Sequence, residues 1–212
     1  MGKTVVTALL LYHLRQTGVR ALAMKPFCSG DRRDVNLFQT LQDSALPDEQ
    51  INPYFFDEPL APLVAARHQQ LRITRSEVLR KIRSVAGKCE CLLVEGAGGV
   101  LVPLSQGLMV IDLIRRLSPA VVLVARNRLG TINHTLLTAM ALRAAGVRRF
   151  KSVLVDLVRA DVSSQTNLSI LRELLEPNPV LSLPYLGAKL DGLKAIKKKC
   201  TRLKNLLACL AA

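Results

Sequence analysis

Four short segments carry the residue types able to do chemistry. The chain opens M-G-K-T-V-V, which sets Gly2, Lys3 and Thr4 directly before an apolar run. Glycine lets the backbone wrap anionic oxygens with its N–H groups. Lysine supplies a point charge for β- and γ-phosphates, and a threonine hydroxyl is a ligand for Mg2+. A helix must follow at once, so that its N-terminus faces the anion. An ordinary helix start explains the same three residues, because the full G-x-x-x-x-G-K-[ST] pattern would begin ahead of Met1. The second segment, L-L-V-E-G-A-G-G at 92–99, is an apolar run that ends on Glu95 and a glycine-rich turn including Gly98. The carboxylate offers charge and a hard oxygen, and the glycines allow close approach of backbone to a substrate. A tight turn with an exposed Glu is the plainer alternative. The third, M-K-P-F-C-S-G at 24–30, puts Lys25 at a strand end with Ser29 and Gly30 after it, which suits a carboxylate-like or phosphate-like group. A solvated loop lysine fits too. The fourth, R-L-G-T-I-N-H at 128–134, opens a helix, where Gly130, Thr131 and Ile132 offer N–H groups to an anion. Thr131 is equally a candidate N-cap, and His134 reads as a packing or hydrogen-bonding residue.

These segments need a scaffold, and the alternation along the chain supplies one. Helical spacing runs from Thr4 to Thr17 and stops at Gly18. Arg20–Met24 reads as a short strand, Asp34–Leu41 as a helix, and Ile51–Pro62 as an irregular Pro-rich stretch. Thr74 with Glu77 three residues on is a capping box before a helix to Ala86. Cys91–Glu95, Ala120–Ala125, Phe150–Val155 and Val180–Leu183 read as strands. Met109–Leu117, Ile132–Ala145 and Asn167–Glu176 read as helices, and the tail from Leu190 is helical. Strands alternating with helices predict an α/β fold: one doubly wound, mostly parallel sheet with helices on both faces. In such sheets ligands sit beyond the carboxyl ends of the strands, where all four segments fall. Together they point to a Mg2+–nucleoside triphosphate facing a second anionic substrate.

The bulk properties limit the alternatives. A chain of 212 residues, half of them hydrophobic and only 4% aromatic, suits one domain over 1–212 with an aliphatic core. No apolar stretch has membrane-spanning length. The five cysteines, Cys28, Cys89, Cys91, Cys200 and Cys209, fit neither a zinc site nor a disulfide framework. Cys89 and Cys91 read as a buried, reduced pair, and the chain reads as cytoplasmic. Net charge is +14, but the basic residues are scattered and lack interleaved aromatics to stack bases. Neither nucleic acid nor membrane is expected as a partner.

Taken together, G-K-T-V at 2–5, K-P-x-x-S-G at 25–30, N-P-Y-x-F-x-E-P-x-x-P at 52–62, V-E-G-A-G-G-x-x-x-P-L-S at 94–105 and L-G-x-I-N-H at 129–134 resemble the dethiobiotin synthetases. These are ATP-dependent phosphate-loop enzymes of biotin synthesis. The resemblance implies a cytoplasmic ligase that joins 7,8-diaminopelargonic acid and CO2 through a carbamate and a carbamic-phosphoric anhydride. It implies ATP as co-substrate, Mg2+ as cofactor and a homodimer with substrate at the interface. Carried residue by residue, it assigns Lys3 and Lys25 to catalysis, and Thr4, Asp34 and Glu95 to the metal. Gly2, Lys3, Thr4, Asp34, Glu95, Gly98, Asp156 and Pro184 would bind nucleotide. Ser29, Gly130, Thr131, Ile132 and Asn133 would bind the diamine substrate, the last four from the partner subunit.

Two departures accompany the resemblance. The family carries a strand and G-T-D-T-x-x ahead of G-K-T, so this reading expects a missing first strand and a true start upstream of Met1. A central strand's loss would orphan backbone groups at about 1–3 kcal/mol each, against a total stability of about 5–15 kcal/mol. After the strand at 150–155 the family has an Asn that reads adenine, and this chain has Asp156. The competing readings are a cobyrinic-acid-type amide synthase, a MinD/ParA-like regulatory ATPase using its basic amphipathic tail, and an inactive truncated homologue.

Overall fold

The computed structural model describes residues 2–187 and 192–212. Helix α1 (Lys3–Gln16) starts after Gly2, whose φ of 92° lies in the left-handed region that favours glycine. Strand β1 (Ala21–Met24) follows and is buried at every position, as expected for a parallel strand covered on both faces. Next come β2 (Phe27–Ser29), α2 (Arg33–Leu41), α3 (Asp48–Ile51), β3 (Tyr54–Phe56) and α4 (Pro62–His68). The stretch 51–62 is therefore more regular than its prolines suggest. Phe27 and Tyr54 stack with ring centroids 4.8 Å apart, and Pro62 takes the first turn of α4, where its missing N–H costs nothing.

Helix α5 (Arg75–Ala86) carries the expected capping box, with the Glu77 amide donating to the Thr74 hydroxyl and the Thr74 amide to the Glu77 carboxylate. The second half contains β4 (Cys91–Val94), β5 (Pro103–Ser105), β6 (Leu108–Met109), α6 (Val110–Leu117), β7 (Val122–Arg126), α7 (Thr131–Ala144) and β8 (Lys151–Val155). A single 3-10 turn at Val162–Gln165 leads into α8 (Asn167–Leu175), then β9 (Val180–Leu183), α9 (Leu193–Arg202) and α10 (Lys204–Ala211).

The parallel α/β architecture is as the alternation implied, with one difference. β1 pairs with β4, and β7, β8 and β9 form a second parallel sheet, but among the described residues β4 and β7 do not pair with each other. Each keeps an open edge, and Val94 at the end of β4 is 40% exposed instead of buried. Both sheets nonetheless present their strand ends on the side where α1 begins: Gly2 abuts Val155 at the end of β8 so closely that an added Cβ would lie 3.0 Å from its Cγ2.

The larger core gathers α1, β1, α2 and the tail helices, and the smaller one lies between α7, α8 and the second sheet. The tail is two helices broken at Leu203. Its apolar positions Ile196, Cys200, Leu207 and Leu210 are buried in the α1 core. That face packs on the domain, while Leu193 at the start of α9 is 44% exposed. Leu190, included in the expected tail helix, lies outside the described residues. All five cysteines are free, and Cys89 and Cys91 are half-buried instead of buried. No helix among the described residues is long and apolar enough to cross a membrane.

Candidate active site

Three chain segments deliver charge to one point. α1 begins at Lys3 and Thr4 because Gly2 turns the chain there. β1 and β4 run in parallel with Met24 opposite Val94, so Lys25 and Glu95 leave neighbouring strand ends side by side. The Glu95 amide donates to the Met24 carbonyl at 2.8 Å and extends the ladder by one bond. The Lys25 backbone is fixed on its other side. Its amide donates to Ile51 O, and the buried Asn52 amide donates to Lys25 O at 2.8 Å. That gives the N-P-Y motif its structural meaning.

The side chains converge on Glu95, which is 4% exposed. The Thr4 hydroxyl donates to Glu95 Oε1 at 2.9 Å, and Lys25 Nζ lies 3.3 Å from the same oxygen. Lys25 also forms an ion pair with Asp34, held in the first turn of α2. These residues, with Lys3 and Gly96–Gly98, line a cleft of about 210 Å3. An exposed Glu in a plain turn is thereby excluded, as is a solvated loop lysine.

Burial sets the electrostatics. It pushes the Lys3 ammonium down from the ordinary lysine value, against the pull of Glu95 upward. Burial acts the same way on Lys25, but Glu95 and the Asp34 bond together outweigh it, so Lys25 is held above the ordinary value. Burial raises the Glu95 carboxyl, and Lys25 opposes it only in part. The carboxylate is thus short of positive charge despite two lysines nearby. Its second oxygen, Oε2, is buried without a hydrogen-bond partner among the described residues. An orphaned buried carboxylate oxygen beside a threonine hydroxyl suits a hard divalent cation. Thr4 spends its proton on Glu95, which leaves its lone pairs free to ligate. Among the described residues no three His, Cys, Asp or Glu side chains form a closed cage. Mg2+ needs none, since it is bound through one or two carboxylates with phosphate and water completing the octahedron. The donors present fit it.

The other expected residues fall outside this cleft, save one. Gly98 lines it at φ 69°, and an added Cβ would stand 2.7 Å from Val102 Cγ2. Ser29 does not line it; its hydroxyl donates to Leu60 O at 3.0 Å. Gly130, Thr131, Ile132 and Asn133 sit at the start of α7, beyond β7. Gly130, at φ 88°, is the N-cap, so Thr131 is not. The Thr131 amide donates to Arg128 O at 3.1 Å and cannot serve an anion. Ile132 and Asn133 remain for that purpose, as first-turn amides ahead of the helical ladder. Asp156 follows β8, its amide donating to Leu183 O at 2.9 Å, and Pro184 is the exposed residue after that carbonyl.

The sequence assigned no role to Asn127 or Asn167. Asn127 is 6% exposed at the end of β7 and bonds to Asp156, Ser164 and Asn167. A short amide directly after the most apolar strand was the available signal. Its partners lie about 30 to 40 residues away in sequence, beyond the reach of local pattern.

The AAA domain family matches residues 1–188 of the chain. Relatives named ATP-dependent dethiobiotin synthetase BioD match over much of it. The Bacillus licheniformis protein is 36% identical over 197 residues, covering 91% of this chain and 80% of the relative. That of an Anaeromyxobacter strain is 42% identical over 151 residues, covering 69% and 68%. That of Akkermansia muciniphila is 32% identical over 193 residues, covering 91% and 88%.

Proposed function

We propose, from the premise that this chain belongs to the dethiobiotin synthetase family, that one P-loop-type domain over 1–212 closes the ureido ring of dethiobiotin at the Lys3–Lys25–Glu95 cleft. The chain is an ATP-dependent ligase. Its substrates are 7,8-diaminopelargonic acid, CO2 and ATP. The observation that carries the site reading is the convergence of Thr4 and Lys25 on one buried carboxylate, with an unpartnered oxygen left over.

One amine of the substrate adds CO2 and loses a proton, giving a carbamate. A carbamate oxygen then attacks the γ-phosphorus and ADP leaves. The second amine attacks the carbonyl carbon of the mixed anhydride, and phosphate departs as the ring closes. Negative charge collects on carbamate and phosphoryl oxygens throughout, so fixed cations contribute most. Lys3, one residue into α1, faces the β- and γ-oxygens, with the N-terminal amides of α1 behind it. Lys25, held charged by Glu95 and Asp34, meets the carbamate and the transferring phosphoryl. Thr4, Glu95 and Asp34 would hold Mg2+, which when bound would neutralise charge on the phosphate oxygens. Gly98 brings backbone close to the transferring group.

The homodimer reading is supported by α7. Leu129 is 80% exposed, Leu137 55% and Met140 63%, and Asn133, Leu137 and Met140 share one helical face. A second copy covering that face would carry the Ile132 and Asn133 amides toward the substrate carboxylate, with Ser29 on the facing loop. Five free thiols and the need for ATP favour the cytoplasm.

The test is direct. Purified protein with diaminopelargonic acid, bicarbonate and MgATP should yield one ADP and one phosphate per cyclic urea, identified by mass. ATP hydrolysis without the urea would defeat the ligase reading and favour a regulatory ATPase.

A further inference from the structure

We propose that Asn52 positions Lys25 for the reaction, by holding the peptide plane on the carboxyl side of that lysine. This inference rests on the role given to Lys25 above. Lys25 stands between the end of β1 and the start of β2, outside both ladders. Two bonds tie its backbone. Its amide donates to Ile51 O at 2.8 Å. Its carbonyl accepts from Asn52 Nδ2 at 2.8 Å, and among the described residues no other group donates to it. The first bond fixes the peptide plane before the Cα, and the second fixes the plane after it. Together they set the direction in which the side chain leaves the backbone. That direction brings Nζ to 3.3 Å from Glu95 Oε1.

The orientation of Asn52 is itself forced. Nδ2 also donates to Tyr54 O at 3.2 Å. Both partners are carbonyls, which only accept, so the amide cannot be turned around. Asn52 is 5% exposed, and its Oδ1 is buried without a hydrogen-bond partner among the described residues. The side chain leaves one acceptor bond unmade to deliver two N–H bonds, one of them to the residue that carries the reacting ammonium.

The loop does not depend on that side chain for its pairing. Tyr54 N donates to Pro26 O at 3.1 Å, and Gly30 N donates to Phe56 O at 2.9 Å. Between them β2 and β3 run in parallel, with Phe27 opposite Tyr54. These backbone bonds hold 54–56 against 26–30 whatever residue 52 carries. Removing the Asn52 amide therefore frees one peptide plane beside Lys25 and leaves the rest of the loop paired. A lysine on a plane free to rotate spends less time where the transferring group needs its charge.

The test is a double-mutant cycle over Asn52→Ala and Lys25→Met, read as kcat and KM for MgATP in ring closure. Asn52→Ala alone should lower kcat about 10- to 100-fold, as for a reacting group misplaced by about 1 Å. KM for ATP should stay within about threefold, because the change removes no ground-state contact to the nucleotide. In the Lys25→Met chain the same change should cost less than about twofold, since no charge is left to position. A side chain that only supported the fold would add its full loss to that of Lys25→Met, and such additivity would overturn the proposal. So would an unchanged kcat in Asn52→Ala. Asn52→Asp keeps the volume and exchanges both N–H donors for lone pairs; it should lose at least as much, and it takes the place of Asn52→Ala in the cycle if the smaller side chain does not fold. If neither variant folds by circular dichroism, Asn52 serves the fold and the positioning role is overturned. If the natural chain closes no ring, the ligase reading falls and takes this one with it.

Discussion

Replacing Lys25 by Met keeps the length of the side chain and removes its charge. Glu95 is 4% exposed, and among the described residues Lys25 is the cation paired with it, at 3.3 Å. At that separation and an effective dielectric near 20, the attraction is about 5 kcal/mol before desolvation. Breaking one side of a buried pair costs about 3–5 kcal/mol net. Lys3 still faces Glu95, so the lower end, about 3 kcal/mol, is expected for denaturant unfolding at pH 8. Acid should shrink the deficit. Burial already holds the Glu95 carboxyl above the ordinary glutamate range, and Lys25 is the chief opposing influence; without it the carboxyl rises further. The folded variant then keeps a proton that the unfolded chain has lost. Its stability is fully present below the unfolded glutamate range and is lost as pH rises through the raised folded value. Urea unfolding of both proteins at pH 5 and pH 8 measures this. Ring closure should fall about 10²–10³-fold in kcat, the scale of one lost electrostatic stabiliser. A deficit that is equal at both pH values, or under about 1 kcal/mol, would refute the claim that Lys25 compensates a buried charge.

Further outcomes follow from the same geometry. Thr4→Ala removes the hydroxyl that bonds Glu95 and should cost about 10–100-fold in activity with a raised Mg2+ requirement, whereas Thr4→Ser should restore most of it. Gly98→Ala meets Val102 at 2.7 Å in a left-handed conformation; about 2 kcal/mol of stability should go, read as a fall in Tm, and Val102→Ala should recover only the steric part. Leu137→Glu with Met140→Glu places charge on the exposed apolar face of α7; sedimentation should show a monomer, with loss of ring closure but retention of nucleotide binding.

Much of the scaffold could be read from local pattern. Apolar runs with helical or strand periodicity, Gly18 after α1 and the Thr74–Glu77 capping box are short-range signals, and the elements formed within a few residues of their expected bounds. The identity of the chemistry was legible too, because a phosphate site needs glycine, lysine and a hydroxyl in fixed succession, and G-K-T and V-E-G-A-G-G supply them. Two things were decided by tertiary contact alone. The parallel register of β1 with β4 set Lys25 against Glu95 across about 70 residues of chain. The bonds from Asn127 to Ser164 and from Asn167 to Arg128 fixed which way this pair of side-chain amides points, and so that Asn127 donates to Asp156. Sequence spacing encodes which groups are available, but hydrogen-bond direction depends on partners that meet only after the sheets and helices have packed.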